Sequence, residues 1–306
     1  MVDLELVSKA DMIEAGHAAE LGEGLNLDRL FVQWQSIGLL GRPVTRAPRR
    51  GGEGLWHPNQ MYLWLDLLHF RTREGRRVPT LTNLPVAAWR LGEEGIETEQ
   101  AQRAYGYWDS QLDNPNRPKG ERSLRREAIE VRVQWLASPE ASASAKRRLR
   151  RLLEMANDSA PRISVSPDTL ARAALDVIAP GRKPTDLERV VARSLYEQIV
   201  FTSAAHDCRD ALLASTPETR AFWEWARRLG QADLAEAAAA QPAFREAPGI
   251  GRLYTPISLD EFTSQACLGL MTILGIGVRR LLGELDRWPP KSEPPPPLHN
   301  LKRKTS

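Results

Sequence analysis

Leu27-Asp-Arg-Leu-Phe-Val-Gln-Trp-Gln-Ser36 runs directly into Ile37-Gly-Leu-Leu-Gly-Arg-Pro43, and the reading of this stretch decides the fold of the first part of the chain. Leu27, Leu30, Phe31 and Trp34 recur at i, i+3, i+4 and i+7, the spacing of one helical stripe, and leave Arg29, Gln33 and Ser36 on other faces. Such a helix packs one side and offers the other. After the glycine-containing turn, Arg42, Arg46, Arg49 and Arg50 precede Gly51, Gly52 and Gly54, residues suited to a tight hairpin tip. Leu55-Trp56 follows, and His57-Pro58-Asn59 opens a further helix whose stripe is read through Met61, Leu65 and Leu68, with Tyr62 and Trp64 beside it. Upstream, Ser8-Lys-Ala-Asp11 has the form of a helix start, and Gly22-Glu-Gly-Leu-Asn26 forms the turn between the two first helices.

In this order the residues resemble the MerR-like winged helix-turn-helix. The matching features are Trp34 in the second helix, Ile37-Gly38-Leu39-Leu40 after it, the arginine-rich segment from Arg46 to Gly54, and Trp56. Val32 stands where that family carries a basic residue. The resemblance covers roughly residues 4 to 92. It implies a recognition helix, Asp28 to Ser36, that enters the major groove, where an amide such as Gln33 can pair with a base edge and Arg29 and Ser36 lie alongside. Arg42, Arg46, Arg49 and Arg50 then form a wing on the phosphates. The family also implies a homodimer, usually through a coiled coil, although no long heptad pattern follows here.

With 306 residues and 42% apolar side chains, the chain has material for more than one core. Its formal charge of +3 is modest but unevenly placed. Residues 1–30 carry seven acids against Lys9 and Arg29, whereas 42–77 carry eight arginines against three acids and 117–151 carry eleven Lys and Arg against four Glu. Local cationic surplus suits a polyanion such as double-stranded DNA, because each neutralised phosphate releases condensed counterions. Two cysteines, Cys208 and Cys267, suggest neither a disulfide framework nor a zinc site, and a reducing cytoplasm is expected. No signal peptide is read at the N-terminus, and the apolar run Ala266 to Val278 is too short for a membrane span.

The remainder reads as helical. Thr80 to Leu91 is expected as one short helix ending at Gly92, with Leu84, Ala87, Ala88 and Leu91 inward, followed by a helix from Thr98 to Leu112. Leu124 to Leu136 is amphipathic, and Lys146-Arg-Arg-Leu-Arg-Arg151 places cations around another helix. Ser166-Pro-Asp, Thr185-Asp-Leu-Glu188, Thr216-Pro-Glu and Ser258-Leu-Asp-Glu261 all have the form of helix starts. The fold class expected is mainly α: a winged helix-turn-helix with a small β-hairpin wing, then an all-helical C-terminal region. The divisions are 1–113 for DNA binding, 114–165 as a basic helical connector, 166–288 for dimerisation or an effector, and 289–306 as a disordered or polyproline-like basic tail. Gly269, Gly275 and Gly277 in the apolar helix suggest close approach by another backbone, an oligomer contact or an effector pocket.

No phosphate loop, dinucleotide fingerprint or nucleophile elbow occurs, and His206-Asp-Cys208 lacks the further ligands a metal needs. No enzyme, cofactor or metal is therefore expected. The expectation is a sequence-specific DNA-binding transcriptional regulator, with a DNA-architectural or excisionase-like accessory factor and a protein-binding adaptor as alternatives. If the arginines beside the glycine-rich tip grip phosphate, Arg49→Ala with Arg50→Ala weakens binding to all duplexes alike and flattens the log-affinity against log-salt slope by roughly one to two units. Equal affinity of parent and variant at low and moderate salt would sink that reading.

Overall fold

The computed structural model describes residues 5–46, 54–112, 124–158, 165–239, 266–285, 293–298 and 301. The protein is mainly helical with one small antiparallel sheet. β1 (Val7–Ser8) leads into α1 (Lys9–Ala18), α2 (Leu27–Ser36), β2 (Thr45–Arg46), β3 (Gly54–Trp56) and α3 (Pro58–Thr72). β3 lies between the other strands, pairing Val7 with Trp56 on one edge and Thr45 with Leu55 on the other. The expected capping box is present: Ser8 Oγ accepts from Asp11 N at 3.1 Å and Asp11 accepts from Ser8 N at 2.7 Å. α2 is capped by Asn26, whose side chain accepts from Arg29 N at 2.9 Å.

These elements close on an aromatic cluster. Phe31 meets Trp56 edge-on at 5.3 Å and Trp64 at 5.6 Å, and Trp34 meets Trp64 at 5.2 Å. Edge-to-face pairs of this kind contribute about 0.5–1.5 kcal/mol each beyond area burial. The Trp64 indole donates to Met12 O at 2.7 Å and so ties α3 to α1. The inward face of α3 is thus Gln60, Leu63, Trp64, Leu67 and Leu68; of the expected Met61, Leu65 and Leu68, only Leu68 is fully buried, and Tyr62 is 63% exposed. Apolar residues surround this helix, and the position of Trp64 in the cluster selects the face that periodicity leaves open.

The segment expected as one helix is two, α4 (Val78–Leu81) and α5 (Asn83–Leu91), joined at Thr82. Pro85 lacks the N–H that would continue the ladder to Leu81, so the helix restarts. The inward face becomes Val86, Ala87 and Trp89, and Leu91, expected inside, is 45% exposed. Gly92 at φ +87° ends α5, and α6 (Thr98–Leu112) follows, burying Ala101, Ala104, Tyr105 and Trp108.

α7 (Leu124–Leu136), α8 (Ala143–Asp158), α9 (Pro167–Ile178) and the first half of α10 (Asp186–Asp207) enclose a second core built on Ile129, Val133, Leu149, Leu153, Leu170, Val177, Leu195 and Ile199. Residues from both sides of position 165 share it. The Thr185–Glu188 capping box forms, and Glu188 is also held by Arg182. The last turns of α10, with α11 (Arg209–Leu212), α12 (Pro217–Ala239) and α13 (Ala266–Leu281), return to the first core. The expected helix start at Ser258 lies outside the described residues. In the C-terminal tail, residues 293–298 are placed against α12: Trp225 Nε1 donates to Glu293 O at 2.8 Å and Arg228 pairs with Glu293 at 3.2 Å. Buried Pro295 and packed Leu298 and Leu301 hold a segment whose composition suggests disorder.

α13 is wrapped by its own chain. Cys267, Leu270, Leu274 and Val278 are fully buried, and the helix lies chiefly along α10, with α5 and α12 on other sides. A Cβ at Gly275 would overlap the Phe201 carbonyl oxygen, and one at Gly277 would come within 2.6 Å of Phe222 and Trp225. The close approach inferred from these glycines is therefore to this chain's own α10 and α12. Gly275→Ala is expected to cost about 3 kcal/mol or more, the upper end of overpacking penalties, because rigid backbone is the obstacle. Gly24→Ala, at φ +76° with open space around it, is expected to cost only about 1–2 kcal/mol from the left-handed backbone. Urea denaturation of the two variants checks this, and equal losses would contradict the packing of α10 on α13.

Candidate nucleic-acid interface

α2 buries Leu27, Phe31 and Trp34 and leaves a continuous outer stripe of Arg29, Val32, Gln33 and Ser36. These four stand at i, i+3, i+4 and i+7, directly opposite the buried set. Val32 is 57% exposed, an apolar patch between two polar side chains. Ser36 Oγ donates to Gln33 O at 2.7 Å, which satisfies a carbonyl near the C-terminal end of the helix. Asp28, the carboxylate nearest this face, is paired with Lys9 at 2.7 Å, and Lys9 also lies 5.7 Å from the Phe31 ring centre.

The stripe is held from behind. Gly38, at φ +84°, lies so close to α6 that a Cβ would stand 2.5 Å from Ala104 N. Any other residue there would face both left-handed strain and a backbone clash. Arg103 of α6 donates to Gln35 O, a carbonyl of the last turn of α2 that the Gly38 N–H also reaches. Burial, and after it the nearby Arg42 guanidinium, lowers the Arg103 pKa. Buried Gln60 spans three segments: Oε1 accepts from Gly41 N at 2.8 Å, and Nε2 donates to Gly95 O at 2.6 Å and to Gln100 Oε1 at 2.7 Å. Gln100 in turn donates to Leu39 O at 3.2 Å, and Trp56 Nε1 donates to Gly41 O at 3.0 Å. Every amide in this set answers a backbone group in a water-poor interior, where a lost partner is costly.

Of the arginines expected to form a wing, Arg42 is exposed and paired with Glu99 at 2.9 Å. Arg46 lies on β2 opposite Gly54. Arg49 and Arg50 lie outside the described residues. β2 and β3 pair antiparallel on either side of the Arg-Gly segment, residues 47–53, which lies outside the described residues. A second cationic face lies on α8, where Arg147 and Arg151 are exposed, while Arg148 and Arg150 pair with Asp176 at 3.4 Å and Glu130 at 2.6 Å. Among the described residues no group of three or more His, Cys, Asp and Glu could hold a metal, and no helix is long and apolar enough to cross a membrane.

Taken together, these elements define a mainly helical protein in which a short helix with one free polar stripe sits beside a small sheet. No family model matches the chain, and no curated protein or solved structure shows significant similarity to it.

Sequence reading finds the free stripe but misses what holds it. Gln60, Gln100 and Arg103 look like ordinary polar positions on amphipathic helices, and only Gly38 signals a close approach. Gln60→Leu removes partners from Gly41 N–H and the Gln100 amide, so it is expected to cost about 2–4 kcal/mol, the sum of one or two unsatisfied buried groups. Thermal denaturation reads the loss. A Gln60→Leu variant as stable as the parent would show that the amide network does not fix the turn after α2.

Proposed function

We propose that the protein is a sequence-specific DNA-binding transcriptional regulator whose residues 1–113 form a winged helix-turn-helix DNA-binding domain. The observation that carries this reading is the outer stripe of α2, with Arg29, Val32, Gln33 and Ser36 exposed on a helix whose opposite face is locked in an aromatic core. Each of these residues suits a base or backbone feature of duplex DNA. Gln33 can pair bidentately with adenine, Val32 can pack on a thymine methyl, and Arg29 can reach guanine or phosphate. Asp28, beside this face, is paired with Lys9. The order of strand, two helices and antiparallel hairpin supports a wing that carries Arg42, Arg46, Arg49 and Arg50 to neighbouring phosphates.

One such helix reads few base pairs, so a homodimer on paired half-sites supplies the affinity a regulator needs. α13 is buried within one chain, which leaves a dimer contact to other surfaces. An architectural accessory factor shares the DNA-facing parts. The extensive helical region with a second core favours the regulator, since bending DNA needs no such structure.

Selection of bound sequences from random duplex DNA with the purified protein tests the proposal, and recovery of a common motif is the expected result. On that motif Gln33→Ala is expected to cost about 1–3 kcal/mol and to relax preference at one or two base pairs, with binding to random duplex unchanged. Equal losses on both would give Gln33 a structural or phosphate role. Absence of salt-dependent DNA binding altogether would leave the adaptor reading, in which the same stripe binds protein.

A further inference from the structure

α6, α7, α10 and α13 meet around a partly open cleft. Trp108, Leu112, Ile129, Leu268 and Met271 give it apolar walls. Its polar lining is predominantly cationic or hydroxylic. Arg125 and Arg132 come from α7, seven residues and so two turns apart, and Thr202, Ser203 and His206 come from α10; Asp207 is the carboxylate in the lining.

Arg132 is half-buried in this lining, and burial lowers its pKa to about 10. Among the described residues it has no ion-pair or hydrogen-bond partner, although surface arginines nearby on α8 find carboxylates. A half-buried guanidinium with no carboxylate beside it keeps its donors open to an anion that enters the cleft. Ser203 Oγ likewise has no hydrogen-bond partner among the described residues and stands in the same lining. The His206 ring is fixed in the wall: Asp109, fully buried, takes Nδ1 at 2.9 Å on one oxygen and lies 3.0 Å from Arg209 Nε on the other. Because the carboxylate accepts, Nδ1 carries the proton. A mostly apolar concavity with a few convergent polar groups is the usual form of a small-molecule site.

We propose that this cleft binds a small organic anion, with Arg132 gripping a carboxylate or phosphate head, Ser203 donating to it, and the apolar walls covering the body of the molecule. The fork of a guanidinium matches either head with two parallel hydrogen bonds, and the walls exclude a bare inorganic ion as the best fit. The site also has a route to α2. Trp108 and Leu112 belong to α6, the helix whose Arg103 and Gln100 hold the end of α2, so an occupant touches the element that positions the DNA-facing stripe. This regulatory link rests on the DNA-binding reading; the binding site does not.

The test is calorimetric titration of the full chain, without DNA, with benzoate and phenyl phosphate as probes and benzyl alcohol as the neutral control. At least one anion is expected to bind saturably and about tenfold or more tightly than the alcohol, the factor that one charge-assisted hydrogen bond supplies. The tighter of the two anions identifies the head group. Arg132→Gln is expected to abolish that advantage and leave the weak alcohol binding unchanged. Ala128→Trp, at a partly exposed position in the cleft wall, is expected to block both kinds of probe. Failure of both anions to bind, or binding as tight in Arg132→Gln or in Ala128→Trp as in the parent, overturns the proposal. Anion binding in a protein that proves not to bind duplex DNA would discard the link to α2 and keep the site.

Discussion

What the N-terminal elements can present to solvent depends on where the chain goes after Trp34, and that is fixed by the backbone of Gly38 lying against α6. The left-handed turn at Gly38 brings Leu39, Leu40 and Gly41 under α6, where Gln100 and Gln60 take up their backbone groups. Arg103 holds Gln35 O from the same side. Trp34 and Phe31 can then enter the aromatic cluster with Trp64 and Trp56, and the opposite stripe of α2 must point outward. A helix of ten residues has little stability of its own. Its direction is a property of this tertiary contact.

α10 plays the corresponding part in the rest of the molecule. Its first half buries Val191, Leu195 and Ile199 in the second core, while Ala204, Ala205 and Cys208 belong to the first. Between them, Phe201 meets α13 at Gly275 with backbone against backbone. One helix therefore joins the two cores, and the cleft with Arg132 opens beside this joint. Cys267 illustrates how dry the interior near it is: burial raises its thiol pKa to about 12.

Much of the local structure was legible because its causes are local. The Ser8 and Thr185 capping boxes and the stripe Leu27, Phe31, Trp34 follow from side chains a few residues apart. The inward faces of α3 and α5 were not legible in the same way. α3 is apolar nearly all round, so only the partner Trp64 meets could choose its face, and Pro85 shifted the start of α5 enough to turn Leu91 outward. The glycines of α13 announced a close neighbour, but composition has no means of saying whether that neighbour is another chain or α10. On α2 the exposed residues Arg29, Gln33 and Ser36 were readable from spacing, whereas the Lys9–Asp28 pair and Gln60 bracing Gly41 join residues far apart in the chain. Arg132 was hidden for a similar reason, since its want of a partner among the described residues is a fact about α6, α10 and α13 and not about α7.

The central claim is that the outer stripe of α2 is the surface that meets duplex DNA. Hydroxyl-radical footprinting of the protein, with and without a bound duplex, measures this most directly. The account predicts that DNA protects Val32 on α2 and leaves Val190, exposed on α10, oxidised at its free rate. A bound complex in which Val32 reacts as fast as in the free protein would contradict it.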